Sequence, residues 1–192
     1  GANRIFQFRF HERNGRLTAS PAAYVRASDG DHPRHMVLHP SNRWAYTSNE
    51  AGDSIGVFGI DADHGTLDHM QTLTTLPNGT DGSRNATARC EMTPDGRFVY
   101  VANRGHDSIA GFAIHQETGR ITSLGQTPTE RTPRSFTIEP QGRFLYAAGQ
   151  DSGRIAAYRI QNDGTLKRFA VYDAGPVAWW ALAVWGWCCW SR

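Results

Sequence analysis

A threefold internal repeat constrains the fold of this 192-residue chain more than any other feature of its sequence. The repeated segments cover residues 33–73, 88–124 and 133–169, and a polar insert at residues 78–85 separates the first two. Prolines, tyrosines and glycines recur at matching positions, namely Pro40, Pro94 and Pro140, then Tyr46, Tyr100 and Tyr146, then Gly65, Gly119 and Gly164. Repetition at such a period indicates one supersecondary unit that is stacked several times.

The pattern of each repeat predicts four short β-strands. In the first repeat the predicted strands are HMVLHP, WAYTSNE, SIGVFGI and LDHMQTL, which are rich in β-branched and aromatic residues. The segments PDGR at 94–97 and NDGT at 162–165 supply the residues that tight turns and hairpins require. No long helical period competes with this pattern. Four-stranded units at a period of about 45 residues are typical of β-propeller blades, so we predict an all-β propeller.

The chain supplies about three and a half blades, and hence a partial ring. We predict a half blade at 1–31 and complete blades at 33–77, 88–130 and 133–175. The first unit matches only the second half of a repeat, so the sequence is expected to be a fragment of a longer protein. Since a closed propeller has four to eight blades, a partial ring leaves strand edges open, and open edges predict self-association.

Residues 176–192 form an atypical tail rich in Trp and Cys. Five of the six tryptophans fall between residues 174 and 190, where no charged residue occurs. This stretch is too short, and too marked by Pro and Gly, for a membrane span, so no membrane partner is predicted. A disrupted reading frame is the leading explanation of the tail. A final blade strand in PVAWWALAV and a hydrophobic interaction tail are the alternatives.

Composition excludes several functional classes. The 20 basic and 18 acidic residues nearly cancel, so charge gives no indication of nucleic-acid binding. The three cysteines (Cys90, Cys188 and Cys189) have neither disulfide nor zinc spacing, which favours a reducing compartment, the cytoplasm. The nucleophile pattern GxSxG, the metal pattern HExxH and the Walker pattern are absent. No convergent set of carboxylates is evident, so neither a metal nor another cofactor is predicted.

Two segments resemble a known family. PRHMVLHP at 33–40 and TPDGRFVYVANRGHDSIAGF at 93–112 resemble the lactonase family of seven-bladed propellers, and the resemblance extends from about Asn3 to Gly175. That family includes bacterial 6-phosphogluconolactonases and fungal carboxymuconate cyclases, and its members are about twice this length. The resemblance therefore implies the C-terminal half of a propeller. It also implies hydrolysis of a phosphosugar lactone, 6-phospho-D-glucono-1,5-lactone, in the pentose phosphate pathway.

Blade topology predicts that the chemistry lies on one rim of the ring. Loops that enter innermost strands and loops that follow second strands share that rim, whereas the PDGR-type turns lie on the opposite one. We expect six residues to converge there, namely Arg34, Glu50, Asn103, Arg104, Arg134 and Gln150.

Three of these residues are the candidate catalytic groups. Glu50 would activate water as a general base, and Arg34 would orient or neutralise an anionic substrate. Arg104 would stabilise the oxyanion of the tetrahedral intermediate or hold the 6-phosphate. The resemblance to the fungal cyclases implies that residues at these three positions belong to the active site, together with a His from an earlier blade that is missing here. The alternative for Arg34 and Glu50 is an ion pair that only ties two loops together.

Five further residues are candidate substrate-binding groups, namely Arg134, His35, His106, Asn103 and Gln150. The two histidines could also serve as bases near neutral pH. Fold alone does not determine function, so two other functions stay open: a non-catalytic interaction scaffold, and a muconate-type cyclase or lactonase that acts on another ring. A lactonase should hold Arg and Glu close together on one rim, whereas a scaffold should expose an apolar patch.

Overall fold

The computed structural model describes residues 2–184, and these residues form fourteen β-strands in four antiparallel sheets. One sheet has two strands, β1 (Arg4–His11) and β2 (Arg16–Arg26), and the other three have four strands each. A single short 3-10 turn at Gly82–Arg84 is the only helical element in this part of the chain. The prediction of an all-β partial propeller built from four-stranded blades is confirmed.

Each four-stranded sheet is a meander in which neighbours in sequence are neighbours in space. Blade 1 contains β3 (Pro33–Leu38), β4 (Trp44–Asn49), β5 (Ser54–Asp61) and β6 (Thr66–Thr74). Blade 2 contains β7 (Ala86–Met92), β8 (Phe98–Arg104), β9 (Ser108–Ile114) and β10 (Ile121–Pro128). Blade 3 contains β11 (Pro133–Ile138), β12 (Phe144–Gly149), β13 (Arg154–Ile160) and β14 (Leu166–Asp173).

The blades stack side by side around their innermost strands. Strand β7 contacts β3 on one side and β11 on the other, so the three innermost strands lie in blade order. Apolar side chains fill the two spaces between blades: Val99 and Phe112 belong to the cluster shared with blade 1, and Tyr100 and Ile109 to the cluster shared with blade 3. Blade 2 is therefore covered on both faces.

The recurring tyrosines connect each blade to the next. Tyr46 Oη donates a hydrogen bond to the carbonyl oxygen of Gly119 at 2.8 Å, and Tyr100 Oη donates to that of Gly164 at 2.7 Å. Both acceptors lie in the outer hairpin of the following blade. Each hydroxyl is buried, and burial raises the pKa of both tyrosines. The recurrence of Tyr and Gly in the sequence thus has a structural cause.

The hairpin glycines also allow close packing between blades. At Gly164, φ is +84°, and an added Cβ would lie 2.4 Å from a ring carbon of Phe98 in blade 2. At Gly119, φ is +70°, and an added Cβ would meet the ring of Trp44 at the same distance. Only glycine fits a left-handed backbone pressed against an aromatic ring.

The half blade leaves apolar side chains exposed. Strands β1 and β2 pair as the third and fourth strands of a blade would, and β2 contacts β6 of blade 1. Phe8, Phe10 and Leu17 are 56%, 63% and 61% exposed. This exposed apolar surface is consistent with an open ring, and self-association through open edges stays a prediction.

Residues 176–184 follow blade 3 as irregular chain and return towards its innermost strand. The Ala183 amide donates to Thr137 Oγ1 of β11 at 3.4 Å. Residues 185–192, which include Cys188 and Cys189, lie outside the described residues, so the predictions for that end of the tail are untested. Within residues 2–184, no helix has the length and apolar character needed to cross a membrane.

Candidate active site

Strands β3, β4 and β8 bring Arg34, Glu50 and Arg104 into contact. Arg34 is the second residue of β3, Glu50 directly follows β4, and Arg104 ends β8 in the next blade. Arg34 Nε lies 3.4 Å from Glu50 Oε2, and Arg104 Nη2 donates a hydrogen bond to Glu50 Oε1. We call these three residues the Arg–Glu cluster. In it, each oxygen of one carboxylate faces one guanidinium.

Backbone hydrogen bonds hold the Arg–Glu cluster in place. Arg104 donates from Nη2 to the carbonyl oxygen of Thr87 at 3.2 Å and from Nε to that of Ala86 at 3.4 Å. The Glu50 amide donates to the carbonyl oxygen of His32 at 2.9 Å, and the Thr87 amide donates to that of Glu50 at 3.1 Å. The entrance to β3, the end of β4 and the entrance to β7 are thus one hydrogen-bonded unit that spans two blades.

The Arg–Glu cluster is half-buried but open to a ligand. The side chain of Glu50 is 42% exposed, against 21% for Arg34 and 16% for Arg104. Burial lowers the pKa of Arg34; Glu50 opposes that shift, and the positive charges of Arg104 and Arg134 add to it. Arg34 Nη1 is buried and has no hydrogen-bond partner among the described residues. An unpaired buried donor is costly, so an oxygen-bearing ligand that approaches Arg34 would gain from pairing with it.

A second pair of the same geometry lies in blade 3. Arg134 Nη1 donates to Gln150 Oε1 at 3.4 Å, and these residues occupy the repeat positions of Arg34 and Glu50. The guanidinium of Arg134 lies over the indole ring of Trp179, with Cζ 4.9 Å from the ring centroid. Gln150 also lines an open surface cavity of about 630 Å³ that extends to residues 175–177.

His35 lies beside the Arg–Glu cluster. Its backbone amide donates to Ser48 Oγ at 3.3 Å. Burial lowers the pKa of His35, and the positive charges of Arg34 and Arg89 lower it further, which favours the neutral imidazole. A smaller cavity of about 210 Å³ is lined by His35, Arg34 and residues of β1.

His106 lies in the turn that follows β8. Its Nδ1 is 2.8 Å from Ser108 Oγ, and its backbone amide donates to Asn85 Oδ1 at 3.1 Å. It is partly buried next to blade 2, and it makes no hydrogen bond to the Arg–Glu cluster.

Asn103 does not join the other candidates on the rim. Its side chain has no exposed surface, and Nδ2 donates to the carbonyl oxygen of Thr75 at 2.9 Å and to Ser108 Oγ at 3.2 Å. Asn49 makes the same contact with Ser54 at 2.9 Å in blade 1. An Asn followed five residues later by a Ser recurs in these two repeats, and this recurrence in the sequence could have indicated a structural role for Asn103.

Sequence reasoning missed a second ion pair near the candidate site. Arg89 Nε lies 2.8 Å from Glu91 Oε2, and the two side chains are 18% and 20% exposed. Glu91 Oε1 accepts a hydrogen bond from the Ile138 amide at 3.0 Å, which ties blade 2 to blade 3. The spacing of Arg89 and Glu91 could have predicted this pair, because residues two apart on a strand lie on the same face of the sheet.

No group of three or more His, Cys, Asp and Glu side chains between residues 2 and 184 is arranged to hold a metal ion.

Comparison with known proteins places the chain in a family. Residues 1–182 match the family described as "Lactonase, 7-bladed beta-propeller". The chain is 38% identical over 167 residues to a 6-phosphogluconolactonase of Pectobacterium carotovorum, an alignment that covers 86% of this chain and 50% of that protein. It thus spans about half the length of the curated relatives it matches.

Solved structures agree with this match. The periplasmic gluconolactonase of Pseudomonas aeruginosa is 28% identical, with a TM-score of 0.84 over 93% of this chain and 50% of that one. A protein from Lactobacillus plantarum shares the fold with a TM-score of 0.86 over 94% of this chain and 52% of its own, at 24% identity. Repeat, blade architecture and family match agree, and the chain belongs to the lactonase family of seven-bladed β-propellers.

Proposed function

We propose that the chain hydrolyses a sugar-derived lactone at the Arg–Glu cluster, with 6-phospho-D-glucono-1,5-lactone as substrate and 6-phosphogluconate as product. Similarity to curated 6-phosphogluconolactonases supports this substrate class. The observation that carries the proposal is the contact of Arg34 and Arg104 with one partly exposed carboxylate, that of Glu50.

The Arg–Glu cluster contains the groups that ester hydrolysis needs. Glu50 accepts one guanidinium on each oxygen, and a carboxylate has about four lone-pair sites, so sites remain for a water molecule. Glu50 takes a proton from that water while the water oxygen attacks the lactone carbonyl carbon. The arginines stabilise the oxyanion that forms. The intermediate then collapses, the bond between the carbonyl carbon and the ring oxygen breaks, and the ring oxygen takes the proton back from Glu50.

The five candidate substrate-binding residues are part of this proposal to different degrees. Arg134, Gln150 and His35 lie at the candidate site or next to it, which supports a role for them. His106 and Asn103 make contacts within their own blade and with the turns beside it, which favour a structural role.

Hydrolysis is tested by following loss of 6-phosphogluconolactone against its spontaneous rate, with the whole chain as the catalyst. We expect a rate above background that Glu50→Gln lowers by roughly 100-fold or more, the range for loss of a general base. Glu117→Gln is the matched control, since Glu117 is an exposed hairpin residue that loses the same charge. A folded Glu50→Gln variant with the wild-type rate would contradict the proposal.

A non-catalytic scaffold is the second candidate function. The observation that favours it is the exposed apolar surface of the half blade, formed by Phe8, Phe10 and Leu17. A folded chain that self-associates through this surface and leaves every lactone at its spontaneous rate would support the scaffold instead. Cytoplasmic location also stays a prediction, since one similar protein is periplasmic.

A further inference from the structure

Arg134 differs from the other arginines near the candidate site because its partner carries no charge. Arg34 and Arg104 share Glu50, and Arg89 is paired with Glu91. The nearest polar partner of Arg134 is the neutral amide of Gln150, and no carboxylate of the described residues lies within salt-bridge distance of Arg134. The repeat therefore places a neutral side chain in blade 3 where blade 1 has a carboxylate.

The net charge of the arginines and carboxylates near the candidate site favours a negatively charged ligand. The guanidinium groups of Arg34, Arg89, Arg104 and Arg134 outnumber the two carboxylates paired with them, those of Glu50 and Glu91, by two. A phosphate monoester carries about −1.5 to −2 at pH 7. Placed at Arg34 or Arg104, that charge would lie beside the carboxylate of Glu50 and be repelled by it. The direct partner of Arg134 is the neutral amide of Gln150, which exerts no such repulsion.

The Arg134–Gln150 pair also has the correct donors. Gln150 accepts the hydrogen bond from Arg134 on Oε1, which leaves the two N–H donors of its amide for a phosphate oxygen. The guanidinium of Arg134 lies over the indole ring of Trp179, and a guanidinium presents its N–H groups in a planar fork that suits a bidentate contact with phosphate. Gln150 lines the open cavity of about 630 Å³ together with Asp151 and Asp173, so a ligand can approach its amide from that side.

We propose that Arg134 and Gln150 form the subsite for the phosphate of the substrate and so determine the preference for a phosphorylated over an unphosphorylated lactone. This inference rests on the lactonase function proposed above and deepens it. The Arg–Glu cluster acts on the ring carbonyl, and the Arg134–Gln150 pair holds the other end of the molecule.

The test compares kcat/KM for 6-phosphogluconolactone and glucono-1,5-lactone in three variants. Arg134→Gln is expected to lower kcat/KM by roughly 10- to 100-fold for the phosphorylated lactone, mainly through KM, and to leave the other lactone unchanged. Gln150→Glu is expected to have the same effect, because its carboxylate would neutralise Arg134 and repel phosphate. Arg131→Gln removes an equal charge at an exposed position and should change neither value.

Measuring the binding of the product tests the phosphate subsite independently of catalysis. Calorimetry should show that the wild-type chain binds 6-phosphogluconate more tightly than gluconate and that Arg134→Gln abolishes the difference, even if no lactone is hydrolysed. Equal losses for both lactones, or an unchanged preference for 6-phosphogluconate in Arg134→Gln, would overturn the phosphate subsite.

Discussion

At the scale of single residues, one repeat position holds a different type of side chain in each of the three blades. The repeat position at the end of the second strand holds Glu50 in blade 1, Arg104 in blade 2 and Gln150 in blade 3. A residue needed only for the blade fold would recur, as the buried tyrosines do. The residue type at this position instead differs from blade to blade, as expected of residues that belong to a site.

His39 is a buried histidine whose ionisation should affect stability. It is 6% exposed, its Nδ1 is 2.8 Å from Ser41 Oγ, and its Nε2 is 3.2 Å from the carbonyl oxygen of Gly96. Burial lowers the pKa of His39, although the bond to Gly96 opposes the shift and the charge of Arg43 adds to it. The folded protein therefore binds this proton less readily than the unfolded chain, whose histidines titrate at about 6.5.

The free energy of unfolding should fall as the pH falls through about 6.5, because the unfolded state gains a proton that folded His39 does not. Chemical denaturation at pH 7.5 and pH 5.5 measures this slope. His39→Gln should have a shallower slope than the wild type. Equal slopes in the wild type and His39→Gln would exclude His39 as the cause.

At the scale of strands and hairpins, the turn and strand pattern predicted most of what the structure contains. The PDGR segment at 94–97 is the turn between β7 and β8, and the NDGT segment at 162–165 is the hairpin between β13 and β14. Both turns could be predicted from the sequence, because the backbone conformation of a tight turn depends on the residues within the turn itself. The burial of Asn103 and the Arg89–Glu91 pair depend on contacts between blades, which strand periodicity alone does not specify.

The tyrosine contacts between blades should contribute measurably to stability. Tyr100→Phe removes a buried hydroxyl and leaves the Gly164 carbonyl oxygen without this donor, so we expect a loss of about 1–3 kcal/mol in the free energy of unfolding. Urea denaturation measures this loss. Tyr146→Phe is the matched control: Tyr146 occupies the same repeat position but makes no such bond to another described residue. Equal effects of the two substitutions would contradict a role for the Tyr100 hydrogen bond.

At the scale of the whole molecule, the candidate site is a product of blade stacking. Glu50 comes from blade 1, Arg104 from blade 2 and Arg134 from blade 3, and their innermost strands lie side by side. Rim residues could be predicted from topology because every second strand leads to the same end of the ring. Side-chain packing between blades decides which of these residues are in contact, so only the structure could show those contacts.

The central claim is that Glu50 and Arg104 act as one hydrolytic unit, and a double-mutant cycle in kcat/KM for 6-phosphogluconolactone tests it most directly. The cycle compares the wild type, Glu50→Gln, Arg104→Lys and the double variant, each shown to be folded. Residues that act as a unit are strongly non-additive. We expect the double variant to be about as slow as Glu50→Gln alone. Losses that simply add would show that Glu50 and Arg104 act independently, and an unchanged kcat/KM with a loss of stability only would show that their contact is a structural ion pair; either result would contradict the claim.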